Sequence, residues 1–392
     1  MATSRAVNIG IIGTGFIAET RARCYAGVGG YQPHIVAAAS RTRARADDYA
    51  RRHGVPDVYD DYRRILDRAD VDVVDLCVPN HLHRSLTEQA AAAGKHVIVS
   101  KPLTAFDGPG SIARQTMLDA ALANATAMVS AAQRAGVQLM YAENWVYAPS
   151  IEKAARLAEA SGGAILDMRG GECHSGSHSP YSKEWRYTGG GALLRLGVHA
   201  LGAMLHLKRQ EGMRRSGTPI RPRAVIAEVG DLTATPGFQA EDQHWIGSGW
   251  VDVENWGTAV VTFDDGTRGT VFASDAVLGG MESSLQVLLS NAHLKCNLSH
   301  NRLLDAFAPD PSVFGSAYLM EKLETSAGWS QPQPDEDWAQ GHRAMIQDFV
   351  GAIAEGRPAR SDGALGLDVI HVIYAAYVAA EEGRRVTVDL SS

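Results

Sequence analysis

Cysteine is scarce. The chain has four, Cys24, Cys77, Cys173 and Cys296, and no two of them form a CxxC pair. A disulfide scaffold or a zinc ribbon needs clustered thiols, so this spacing suits buried free thiols in a reducing compartment, and no metal is expected. Long apolar runs are also missing. The strongest, residues 369–380, carries His371 and two tyrosines and stops short of the roughly 20 residues of a membrane span. Residues 1–6 pass straight into a strand-like run without the apolar core of a signal peptide, so a cytoplasmic location with no membrane partner is expected. Positive charge is not in excess. Lys and Arg total 37 against 44 Asp and Glu, a formal net charge of -7, which disfavours nucleic acid as a partner. No internal repeat is visible.

What is present is an ordinary globular composition, 45% hydrophobic and 21% charged over 392 residues, enough for two or three domains. In the first third, aliphatic runs at 7–12, 35–39, 73–78 and 97–100 alternate with Arg- and Ala-rich helical stretches. Strands that read as continuous aliphatic runs are covered on both faces, which predicts a parallel, doubly wound α/β sheet. A helix over 124–134, a strand over 137–141 and a helix over 151–160, opened by Pro149, follow. From residue 165 onward longer alternating strands predict an α+β domain with an open, mostly antiparallel sheet: 165–174, 224–232, 258–264, 269–274 and 285–289. Asp264-Asp265-Gly266-Thr267 marks a hairpin. Helices are expected over 192–209, 338–355 and 364–382, a short strand over 386–388, and loops over 209–222 and 326–337. The division expected is 1–142 for a dinucleotide-binding Rossmann domain and 143–392 for substrate binding and oligomerisation.

The first run leads into Gly13-Thr14-Gly15-Phe16-Ile17-Ala18, a G-x-G-x-x-A turn before a helical stretch. Gly13 permits the tight turn, Gly15 removes a side chain where a pyrophosphate approaches, and Ala18 lets the helix sit close to the strand. At the end of the second run no carboxylate awaits the adenosine ribose; Ser40 and Arg41 stand there, with Arg43 behind. Charge favours the 2′-phosphate of NADP, while an Arg can also stack on adenine in either cofactor. Arg43 and Arg45 read as a solvated helix face. The third run ends in Pro79, Asn80 and, three residues on, His83; the fourth ends in Ser100-Lys101-Pro102, with Lys101 directed toward the nicotinamide.

These motifs resemble the Gfo/Idh/MocA oxidoreductases over essentially the whole chain: the Gly13 to Ala18 fingerprint, the Pro79-Asn80 turn and a Lys101-Pro102 pair like that family's E-K-P. The segment Gly189-Gly190-Gly191-Ala192-Leu193-Leu194-Arg195-Leu196-Gly197-Val198-His199 matches GGG-x-L-x-x-x-G-x-H. The resemblance implies NAD(P)-dependent oxidation of a secondary hydroxyl, at C3, of a sugar, glycoside or cyclitol. It gives Lys101 and His199 the acid/base roles and places Asn144 and Tyr147 at the nicotinamide pocket. Tyr147 reads as a sugar contact, a third acid/base group or core packing. Relatives with Ser-Arg after the second strand include NAD users, so NAD is the expected cofactor.

The chain departs from the family at two positions: Ser100 stands for Glu, and Arg195 for the usual Asp. An Arg one turn from His199 disfavours the imidazolium and keeps the ring able to accept a proton. Arg195 with Lys101, Lys183 and Arg186 makes a positive site, which suggests a uronate or sulfonated sugar. The other reading pairs Arg195 with Glu143, Glu172 or Glu184. His174, His178, Tyr181, Lys183 and Arg186 form a loop suited to a sugar-binding wall. Two further functions remain open. One is a redox-neutral glycoside hydrolase that oxidises C3 transiently and eliminates the aglycone; the other is a nucleotide-sensing regulator without chemistry. An open antiparallel sheet also implies a homodimer or homotetramer.

Overall fold

Aliphatic runs in the first third form the strands expected of them. The computed structural model of the protein describes residues 6–177, 179–299 and 304–390. Strands β1 (Ala6–Ile12), β2 (Gln32–Ala39), β3 (Asp57–Tyr59), β4 (Val73–Leu76), β5 (His96–Ser100) and β6 (Leu139–Ala142) form one sheet ordered β3-β2-β1-β4-β5-β6. Every pairing is parallel. All of β4 is buried, as are Val97, Ile98 and Val99 of β5, because helices cover both faces of a parallel sheet. The order reverses between β1 and β4, the switch point at which open α/β sheets take their ligands.

This unit comprises residues 1–105, 119–147 and 341–370, a different division from the single cut after residue 142. Helix His342–Glu355 packs on helix Phe16–Ala26, and the Gln347 amide exchanges two 2.8 Å hydrogen bonds with the Gly29 backbone. Gln138 likewise donates to the Arg357 carbonyl at 2.9 Å and accepts from the Ala359 N–H at 3.2 Å. These side chains draw a C-terminal segment into the N-terminal unit, which no local sequence pattern announces.

The second unit holds β7 (Ile165–Cys173), β8 (Pro222–Gly230), β9 (Trp256–Phe263), β10 (Arg268–Ser274), β11 (Glu282–Leu289), β12 (His293–Asn297) and β15 (Val386–Thr387), with a small separate pair β13 (Ala306–Ala308) and β14 (Gly328–Ser330). The large sheet is ordered β12-β11-β7-β10-β9-β8-β15 and is antiparallel except where β10 lies parallel to β7. Its inner face, including Met168, Val271, Ala273 and Val287, packs under the helix that ends at Ser216.

That helix departs from expectation twice. Leu193–Gly197 is wound as a π-helix before the α-helix Val198–Ser216 begins, and the helix continues through residues read as a loop. Glu211 explains the extension: its carboxylate accepts from Lys208 at 2.6 Å, from Arg215 at 3.0 Å and from the Ile165 N–H at 2.9 Å. Elsewhere, helix Arg114–Ala135 starts earlier than expected, and β14 lies inside a stretch read as loop. By length and composition two segments could cross a membrane, Trp185–Ser216 and Gly363–Glu382, and 94% and 72% of their apolar windows are buried inside the protein. The second is longer than the apolar run 369–380 suggested. All four cysteines are free and buried, and burial pushes the thiols of Cys173 and Cys296 up to about 12 and about 11.

Candidate active site

In the first unit, chemistry gathers at the C-terminal ends of β1, β4, β5 and β6. Gly13 has φ of 94°, and a Cβ there would lie 2.2 Å from the Cys77 carbonyl oxygen, so glycine is required where the chain turns out of β1 beside β4. Gly15 is the N-cap of helix Phe16–Ala26 and has no side chain to cover the helix N-terminus; a Cβ on it would meet nothing within 4 Å. The Thr14 hydroxyl in the same turn is buried without a hydrogen-bond partner among the described residues. Exposed backbone donors at a helix start and an unpartnered hydroxyl fit a dinucleotide's pyrophosphate. Phe16 is exposed and Ile17 half-buried beside them.

After β2, the Ser40 N–H bonds the Tyr59 carbonyl at 3.2 Å and Arg41 is exposed. Arg43 pairs with Asp47 at 2.9 Å on the same exposed helix face. After β4, Pro79 leads into a single turn at Asn80–Leu82. His83 is completely buried. Its Nδ1 lies 3.1 Å from the carbonyls of both Pro102 and Leu103, and its Nε2 3.0 Å from that of Val78. The ring is thus fully engaged by backbone, tying the turn after β4 to the turn after β5, and it acts on a nucleotide site only through those turns.

Ser100 donates its hydroxyl to the Leu76 carbonyl at 3.1 Å. Lys101 follows at the sheet edge, and Glu143 follows β6 in the neighbouring place. Glu143 and Asn144 are both buried. Of the three readings of Tyr147, its surroundings favour core packing. It is completely buried, donates to Asp348 Oδ2 at 2.9 Å and accepts from the Ser361 N–H at 2.9 Å, with Phe349 edge-on and Arg360 over its ring. Burial and the Asp348 charge push its ionisation far above the usual range, which suits a place in the core better than proton transfer.

In the second unit, the glycine-rich turn is clamped by Glu254, which the sequence reading missed. Its carboxylate accepts from the Gly191 and Leu193 N–H groups, both at 2.9 Å, and from the Tyr377 hydroxyl at 2.8 Å. A Cβ on Gly191 would fall 1.8 Å from the Glu254 carbonyl oxygen. This clamp sets the start of the helix carrying Arg195 and His199, whose ring is only 5% exposed.

Arg195 is ion-paired with Asp275, a second residue the sequence reading missed. This acid is not among Glu143, Glu172 and Glu184, the carboxylates considered from the sequence, and the paired charge does not bias His199 as a lone cation would. The only sequence signal was a carboxylate directly after the alternating run of β10. His174 Nδ1 accepts from the Gly176 N–H at 3.0 Å, which puts the proton of the neutral ring on Nε2, and stands 3.5 Å from Asp275 Oδ1. Trp250 lies against Arg195, with the guanidinium 5.3 Å from its ring centre, and Lys322 reaches the Gly176 carbonyl at 3.2 Å. Of the remaining loop residues, Lys183 donates to the Ser248 carbonyl, Arg186 pairs with Glu184 at 2.6 Å, and Tyr181 is exposed with its ring against Tyr187. His178 lies outside the described residues.

Residues 7–143 match the family model "Oxidoreductase family, NAD-binding Rossmann fold", and residues 151–295 match "GFO/IDH/MocA C-terminal domain". Among curated proteins, a levoglucosan dehydrogenase of Pseudarthrobacter phenanthrenivorans is 31% identical, covering 91% of this chain and 92% of its own. A D-apiose dehydrogenase of Paraburkholderia graminis is 26% identical over 97% of this chain and 89% of its own. Among solved structures, GenD2 from gentamicin A biosynthesis, in complex with NAD, superposes with a TM-score of 0.80 at 23% identity, covering 99% of this chain and 98% of that one. A levoglucosan dehydrogenase in complex with NADH gives 0.69 at 23% identity, covering 98% and 100%. The chain is an NAD-binding oxidoreductase and belongs to the Gfo/Idh/MocA family.

Proposed function

We propose that the protein is an NAD-dependent dehydrogenase that oxidises a secondary hydroxyl, at C3, of a sugar or cyclitol, with Lys101 and His199 handling the hydroxyl proton. The observation that carries this reading is the position of Lys101 at the C-terminal edge of a parallel sheet whose switch point bears the Gly13 to Ala18 turn. The relatives named for levoglucosan, D-apiose and D-xylose support a carbohydrate substrate. The nicotinamide, when bound, supplies the hydride acceptor. The protein's own part is a base within hydrogen-bond reach of the hydroxyl and a group that stabilises the developing alkoxide. Lys101 and His199 are residue types suited to both.

An acidic sugar gains less support than the sequence suggested, since Arg195 is matched by Asp275 and Arg186 by Glu184. We therefore place neutral polyols first. We also propose a homo-oligomer through the outer face of the large sheet. By register, Ile226, Val260, Thr270 and Phe272 share that face, and Ile226 and Phe272 are exposed. Light scattering that reports a monomer overturns this.

The functional test incubates the protein with neutral and acidic sugars, glycosides and cyclitols in NAD or NADP, reading nucleotide absorbance and released aglycone together. Reduced nucleotide should equal oxidised sugar, and Lys101→Ala should lower kcat by about 10²–10⁴-fold with nucleotide binding retained. Aglycone release without net reduction would instead establish the redox-neutral hydrolase. Nucleotide binding with no turnover would establish the regulator.

A further inference from the structure

Strands β5 and β6 are parallel neighbours, and their register pairs Ser100 with Ala142. The next residue on each strand, Lys101 and Glu143, therefore leaves the same sheet edge side by side. Position 100 holds a serine whose hydroxyl is committed to the Leu76 carbonyl, so the residue before the lysine offers no carboxyl. The carboxyl beside the lysine comes from the adjacent strand instead.

Glu143 is completely buried, and the Trp145 N–H donates to its Oε1 at 3.2 Å. Burial raises its carboxyl to about 8, against the pull of Lys101 and of that N–H, which both favour the ionised form. Lys101 at the end of β5 acts on it, and Tyr141 two residues back on β6 feels its charge. Tyr141 is buried and its hydroxyl is held far above the usual range, so it stays neutral.

We propose that Glu143 is the proton partner of Lys101, the pair taking up the hydroxyl proton when it holds a single proton between the two side chains. The inference rests on the dehydrogenase reading and names the positioning residue of Lys101; because burial raises the carboxyl to about 8, the one-proton form gains population as pH rises through that range. When the substrate C–H bond breaks, its hydrogen leaves with the electron pair as hydride, and the hydroxyl proton passes to the Lys101 amine. The pair then holds two protons, one on the Lys101 ammonium and one on the Glu143 carboxyl, and one proton returns to solvent. One hydride and one proton leave the alcohol, so atoms and charge balance.

Two readouts test this. In the whole protein labelled with ¹³C at the glutamate carboxyls, one carboxyl should titrate well above the ordinary glutamate range. Its signal should vanish in Glu143→Gln, and its midpoint should rise in Lys101→Met, because the neighbouring positive charge is gone. In turnover, Glu143→Gln should lower kcat about tenfold or more and remove one ionisation from the kcat–pH profile, while KM and nucleotide affinity stay within about twofold; Glu143→Asp should restore part of the rate. A carboxyl midpoint unmoved by Lys101→Met overturns the proposal. So does an unchanged pH profile in an active Glu143→Gln enzyme. If the wild type turns over no sugar or cyclitol, the dehydrogenase reading fails, and the carboxyl titration still decides the pairing.

Discussion

The guanidinium of Arg195 is paired with the carboxylate of Asp275, which stands directly after the end of β10 and has a completely buried side chain. The helix carries the cation and the strand end the acid, and the pair is neutral overall. Removing one member of a buried pair leaves an uncompensated charge, so Arg195→Met should lower unfolding free energy by about 3–5 kcal/mol. Arg195→Met with Asp275→Leu should recover most of it. Urea unfolding of the three proteins checks this, and a loss below about 1 kcal/mol in the single variant would show that the pair does not hold the helix.

His83 gives the fold an acid-sensitive strap. Burial outweighs the carbonyls around the ring and holds its pKa below the ordinary 6.5. The unfolded chain then takes up a proton that the folded one resists, so this contribution is present above pH 6.5 and is lost as pH falls from there toward the folded value. His371, also lowered by burial, adds in the same direction. In His83→Asn the fall in Tm on acidification below that point should be shallower than in the wild type. An identical slope would mean that the ring is protonated in the fold.

Gly191→Ala tests the clamp under the glycine-rich turn. The added methyl would fall 1.8 Å from the Glu254 carbonyl oxygen, a clash with backbone that no side-chain rotation relieves. A stability loss of about 1–3 kcal/mol or more is expected, with kcat reduced because the helix bearing His199 shifts. Unchanged Tm and kcat would show that the turn can move freely. Gly217→Ala, where a Cβ meets nothing within 4 Å but φ is 73°, separates steric clash from backbone strain.

The first unit was legible in the chain because its information is local. Each buried parallel strand reads as an aliphatic run, and the Gly13 to Ala18 turn and Lys101 sit at strand ends that periodicity locates. The three-residue β3 was not found, being too short to show a pattern. The helix over Val198–Ser216 was read short because Glu211 and Arg215 look like a charged loop until Ile165 and Lys208 are brought to them.

The sequence by itself determined the fold class, the nucleotide turn and the residue types at the sheet edge, since these depend on neighbours along the chain and on period. Only the tertiary structure decided what each charged group faces. Asp275 is 80 residues from Arg195, Glu254 is 63 from Gly191, and Asp348 is 201 from Tyr147. Buried charges and hydroxyls must find partners wherever the packed chain places them, and that choice is a property of three dimensions.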